Sequence, residues 1–277
     1  MKNTIKAAGV QLMAVPEKEK NLSKAVLLID LAVQEGARII ALPQLFNARW
    51  FAHSIDSKNF RVAEREDGPT VSLMRETAAK RGVVIVAPIF EEEDGEYYNT
   101  AFVLGVNGEV VGKYRKVHVP QIPLWEERAY FKPGNLGFPV FETPFGKIGV
   151  QLCWDIFFPE GFRALALKGA EIILAPTASA FEHSHRKWER AIAAAAHANG
   201  VYIFRVNRVG KEDKQEFYGR SFCVRPDGEL LHKPSGASAG VVLADMDMTE
   251  VARVRNEWVF LKDRRPCEYK DLAECKE

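Results

Sequence analysis

The sequence predicts a single α/β domain, and three observations carry that assignment. Short apolar runs of strand length alternate with amphipathic stretches of helix length. Two turn signals, Asn107-Gly108 and Pro226-Asp227-Gly228, bring antiparallel pairs into the sheets and argue against a purely parallel doubly wound sheet. The runs IIALP (39–43) and IILAP (172–176) echo one another, each a strand stopped by proline, as two similar sheet–helix halves packed together would require. No linker, low-complexity run or long repeat interrupts the chain.

In order, residues 5–12 read as a strand. Asn21 is placed to cap a helix through Glu35, because Ala25, Leu28, Ile29, Ala32 and Val33 fall on one face and Gly36 ends the pattern. Residues 38–43 form a buried strand that delivers Gln44 to its carboxyl end. A helix over 70–81 closes at Gly82, a strand over 83–89 follows, and 98–106 with 109–114 form the hairpin around Asn107-Gly108. The irregular segment 121–139 carries Trp125, Tyr130 and Phe131, aromatics that argue against disorder. Strands are expected at 148–152, 172–176 and 201–206, with helices from Pro159 to Lys168 and over the alanine-rich 185–199. Residues 222–225 and 229–232 flank the late turn, and 240–245 is the last core strand. The tail from Val254 to Glu277 has no clear period, yet Trp258, Phe260 and Leu261 give it something to bury, either on its own body or at a subunit interface.

Composition narrows the function classes. With 277 residues the chain suffices for one large core. Lysine plus arginine number 38 against 37 acids, a net charge of +1, so no basic field exists to hold nucleic acid. No apolar run reaches signal or membrane-span length, and the expectation is a soluble, cytoplasmic protein. Cys153, Cys223, Cys267 and Cys275 are too scattered for a disulfide framework. No CxxC pair suggests zinc, and no glycine loop suggests a nucleotide, so no metal or cofactor is expected.

The stretch 145–163, FGKIGVQLCWDIFFPEGFR, organises the rest. Ile148, Val150 and Leu152 alternate as in a buried strand, and Cys153 sits between its end and a helix starting at Pro159. A cysteine so placed is held on rigid structure and can face a cavity. Taken alone, it also fits a small buried hydrophobe. Two other stretches decide between these readings.

LPQLFN (42–47), YRKVH (114–118) and LCWD (152–155), in that order and spacing, resemble the nitrilase superfamily of carbon–nitrogen hydrolases. Further matches are GPT (68–70), Pro133-Gly134, Phe217-Tyr218-Gly219 and NRVG (207–210), so the resemblance covers nearly the whole chain. LFNARWF (45–51) and LKDRRP (261–266) are most similar to the N-carbamoylputrescine amidase and β-ureidopropionase-like branch. The resemblance implies a four-layer α-β-β-α sandwich over residues 1–277, with 254–277 an arm at a subunit interface of a homodimer or higher even homo-oligomer.

It also implies the chemistry. Cys153 would be the nucleophile, and Lys116 would hold the oxyanion with help from the backbone N–H of Trp154. Glu127 would orient the lysine. The family's general base is a glutamate where this chain has Gln44, and an amide cannot accept and return the thiol proton. The expectation is therefore a cysteine amidohydrolase with strongly reduced activity, Gln44 being read as an inactivating Glu→Gln change. A natural non-hydrolytic binding homologue, an acyl carrier passing its group to an amine, and a true nitrilase are the alternatives.

For the substrate, Ile156 and Phe157 stand where some relatives carry a cation for a substrate carboxylate. This favours an N-carbamoyl amine or an apolar amide over a carbamoyl amino acid. Asp155, where nitrilases usually carry glutamate, argues against a nitrile. Trp154, Asp155, Ile156, Phe157, Glu182 and His183 are the expected substrate-binding residues; Glu182 would meet an ammonium tail or remain a solvated loop charge. His118 and His197 are expected to be structural.

Overall fold

The computed structural model describes residues 4–272; Cys275 and the end of the expected arm lie outside the described residues. The first half runs β1 (Thr4–Gln11), α1 (Lys18–Gln34), β2 (Ile39–Ala41), α2 (Pro69–Arg81), β3 (Val84–Glu93), β4 (Glu96–Leu104) and β5 (Val110–Arg115). The second comprises β6 (Val140–Thr143), β7 (Gly146–Val150), α3 (Pro159–Leu167), β8 (Ile172–Pro176), α4 (His185–Asn199) and β9 (Tyr202–Val206). The chain closes with β10 (Val209–Glu212), β11 (Gln215–Tyr218), β12 (Phe222–Val224), β13 (Gly240–Asp247) and α5 (Thr249–Glu257).

Two sheets result. One has the order β13-β1-β2-β3-β4-β5 and the other β12-β9-β8-β7-β6, with β10-β11 a separate hairpin. In each sheet three strands are parallel and the flanking strands antiparallel; the Asn107-Gly108 turn joins β4 to β5 as expected, whereas the second sheet takes its antiparallel flanks from β12 and β6 and not from a hairpin at Pro226-Asp227-Gly228.

Strand alternation builds the layers. Along β2 and β3, Ile39, Val84 and Val86 face Val150, Leu174 and Phe204 of the other sheet. Ile40 and Ile85 turn outward onto Leu28, Ile29, Met74 and Ala78 of α1 and α2. In the second half, Ile173 and Ile203 pack under Phe162, Leu165 and Ile192 of α3 and α4. Both faces of these strands are covered, which is why they read as continuous apolar runs. The architecture is the four-layer α-β-β-α sandwich, and the IIALP and IILAP echo marks β2 and β8 inside its two sheets. Gly9 lets β1 pack tightly on β9 of the other sheet: a Cβ there would lie 2.7 Å from Val206 Cγ2.

Several local expectations change. Asn21 does not cap α1. It lies inside the helix, where its buried amide donates to Val15 O and Asn47 O and accepts from Val15 N–H. β3 runs on to Glu93 and turns into β4 at Asp94-Gly95, both with positive φ, as a tight hairpin requires. β6, the β10-β11 hairpin and α5 add to the expected elements. Residues 229–232 form no strand, only an isolated bridge from Leu230 to Val224. Among the described residues, no helix is long and apolar enough to cross a membrane.

Candidate active site

The site is assembled at strand ends. After β7 the chain turns at Cys153, whose φ of 48° is left-handed, a strained conformation for a residue with a Cβ. Asp155 holds that turn. Its Oδ2 accepts from Leu152 N–H at 2.9 Å and from the Tyr114 hydroxyl at 2.7 Å. Its Oδ1 accepts from His118 N–H at 2.9 Å and lies 2.8 Å from His118 Nδ1. Because Tyr114 and His118 flank Lys116, this one buried carboxylate fastens the cysteine turn to the end of β5.

Lys116 and Glu127 form a fully buried ion pair, Nζ to Oε2 2.5 Å, with both side chains at 0% exposure. Lys116 O accepts from Gly134 N–H at 2.8 Å; a Cβ on Gly134 would lie 2.1 Å from Arg115 O, so the Pro133-Gly134 step lets the loop cross this strand end. Burial pushes the Lys116 pKa down, yet Glu127 first and Cys153 next outweigh it and raise it above the ordinary lysine value. Burial raises the Glu127 carboxyl above its ordinary range, and Lys116 opposes that rise. Burial also pushes the Cys153 thiol up; Lys116 pulls it down, Glu127 raises it, and the Ala178 backbone N–H and Arg205 lower it less. Cys153, Lys116 and Glu127 are thus one electrostatic unit.

Gln44 lies three residues beyond β2, fully buried, with neither amide atom hydrogen-bonded. Its backbone is clamped. Arg208 donates to Gln44 O at 2.9 Å, Leu45 O at 2.8 Å and Ala48 O at 2.8 Å, and forms a fully buried pair with Glu212. Glu212 in turn accepts from Trp50 N–H at 2.8 Å. This clamp, and the φ of 52° it supports at Leu45, were not foreseen; the only signal was Arg208 within NRVG. Arg205 was also missed. It is the one charge in YIFRV, fully buried and 4.9 Å from the Trp188 ring.

Above Cys153 opens a cavity of about 440 Å³, walled mainly by Trp125, Trp154, Phe157, Phe181 and Trp188. Of the expected substrate-binding residues, Trp154, Phe157 and His183 line it. Asp155 lies beneath, occupied by its hydrogen bonds. Ile156 packs into the α3–α4 core, and Glu182 lines a different cavity with Arg220 and Lys233. His118 serves Asp155, and His197 meets the rings of Trp258 and Phe260.

Fold and chain comparison together define a hydrolase of the nitrilase superfamily. The chain belongs to the carbon–nitrogen hydrolase family, whose pattern it matches over residues 6–256. It is similar to the N-carbamoylputrescine amidase of Solanum lycopersicum, 36% identical over 97% of this chain and 94% of that one. A citrullinase of Francisella tularensis is 34% identical over 97% and 98%. The crystal structure of a carbon–nitrogen hydrolase from Helicobacter pylori G27 superposes with a TM-score of 0.93 at 32% identity, covering 99% of each chain.

Proposed function

We propose that this protein is a cysteine-dependent amidohydrolase that cleaves a non-peptide C–N bond of an N-carbamoyl amine or small amide. The observation that carries this reading is Cys153 at the floor of an apolar cavity, coupled to the buried Lys116–Glu127 pair. Cys153 sulfur attacks the carbonyl carbon, forming a C–S bond. The oxyanion is held by the Lys116 ammonium and the Trp154 N–H. The C–N bond then breaks, the leaving nitrogen takes the thiol proton and departs as ammonia, and water hydrolyses the thioester to free the cysteine.

Gln44 cannot carry the proton in these steps. Glu127, whose Oε1 has no hydrogen-bond partner, is the carboxylate left to do so, and turnover is slow as a result. The unpartnered Gln44 amide favours one second reading, a homologue that binds ligand without hydrolysing it. The chain works as an even homo-oligomer, with the exposed Trp258, Val259 and Phe260 of its arm at the contact.

An ammonia-release assay on the protein and its Gln44→Glu form, over N-carbamoyl amines, N-carbamoyl amino acids, amides and nitriles, tests the proposal. Turnover of carbamoyl compounds or amides, faster in the glutamate form, supports it. Silence in both forms, with no adduct on Cys153, favours the binding protein.

A further inference from the structure

Phe157 on the cavity wall offers a substrate carboxylate no charge, and Ile156 packs away from the cavity; the wall supplies a cation from elsewhere. Lys187, in the first turn of α4, lines the cavity that opens on Cys153. No carboxylate pairs with it among the described residues, and the wall contains no aspartate or glutamate. His183 is the other titratable side chain on that wall besides Cys153 itself.

The acid that would have met an ammonium tail is on the other side. Residues 178–184 contribute to two cavities. Phe181 and His183 turn towards Cys153, and Ala180 and Glu182 turn into the second cavity beside Arg220 and Lys233. An ammonium entering above Cys153 would therefore meet the Lys187 ammonium and find no carboxylate on the cavity wall. A carboxylate in the same place would find Lys187, and Trp125, Phe157 and Trp188 would cover the apolar spacer behind it.

We infer that Lys187 sets specificity by pairing with a carboxylate at the far end of a substrate whose amide or ureido end sits at Cys153. This rests on the amidohydrolase reading and narrows it to acids, against the carbamoyl amine that the sequence favours. Lys187 stays in contact with water, so its preference is modest and falls with added salt.

The test uses primary amides of one spacer length ending in carboxylate, carboxamide or ammonium, with the protein and its Lys187→Ala and Lys187→Glu variants. Affinity is read from quenching of the cavity tryptophans and turnover from ammonia release. The carboxylate compound is expected to bind about threefold to tenfold more tightly than the neutral one. Lys187→Ala should abolish that margin through KM and leave kcat in place, and Lys187→Glu should invert it in favour of the ammonium compound. An ammonium preference in the unaltered protein, equal binding of all three tails, or a tail preference indifferent to Lys187→Glu would overturn the inference. Absence of turnover with the tail preference intact would instead count against the hydrolase reading, because binding is measured without chemistry.

Discussion

Replacing Glu127 with glutamine should cost the fold more than any surface charge would. The carboxylate sits 2.5 Å from Lys116 Nζ with neither side chain exposed, so water cannot take its place. Glutamine fills the same volume, yet it leaves an ammonium buried without its principal counter-charge. Breaking such a pair from one side costs about 3–5 kcal/mol, against about 5–15 kcal/mol of total stability in an ordinary domain. Urea unfolding at pH 7, with parent and variant fitted to a common slope, measures the loss. A Lys116→Met/Glu127→Leu double variant, lacking both charges, should recover much of it while remaining inactive. A Glu127→Gln loss below about 1 kcal/mol, the range of an exposed pair, would refute the reasoning.

Other expectations concern the chemistry and its scaffold. Gln44→Glu should raise the rate of ammonia release by about 10²–10⁴, the usual contribution of a positioned general base. Because burial holds the Cys153 thiol above the ordinary range, the thiolate is scarce at neutral pH and grows as pH rises. Peptide-mapped alkylation of Cys153 should accelerate about tenfold per pH unit from 7 upward and level off only above the ordinary thiol range. A plateau below pH 8 would contradict that direction. Arg208→Lys replaces a fork by a point charge that cannot serve three carbonyls and a carboxylate together. It should cost about 1–3 kcal/mol and open the loop after Gln44 to limited proteolysis. Removing the residues after Glu257 should break the oligomer into smaller species by light scattering; an unchanged assembly would show that the arm only covers α4.

What the sequence made legible was local. β8 and α4 follow from an apolar run and from alanine-rich periodicity, each bounded by a strong stop signal, Pro176 and Gly200. Cys153 at a strand end follows from the alternation of Ile148, Val150 and Leu152. The misses are residues whose partners come within reach only once the chain has folded. Glu91, Glu92 and Glu93 look like a solvated run, but all three extend β3, and Lys113 and Arg115 on β5 neutralise Glu91 and Glu93. KEDKQE (211–216) reads as a loop until Glu212 meets Arg208 and its hairpin closes. Asn21 has a capping side chain, yet the capping role loses to Val15 and Asn47, which it can reach only in the folded chain. Which way Glu182 and Lys187 face could not be read from spacing, because a short helical turn at 182–184 precedes α4 and the two side chains line different cavities.

Acid-quenched intact-mass spectrometry during turnover of a carbamoyl compound or amide tests the central claim most directly, with peptide mapping of whatever adduct appears. The account predicts an acyl group on Cys153, absent from Cys223 and Cys267, and lost in Lys116→Met. Ammonia release with no adduct on Cys153, or turnover that survives Cys153→Ala, would contradict it.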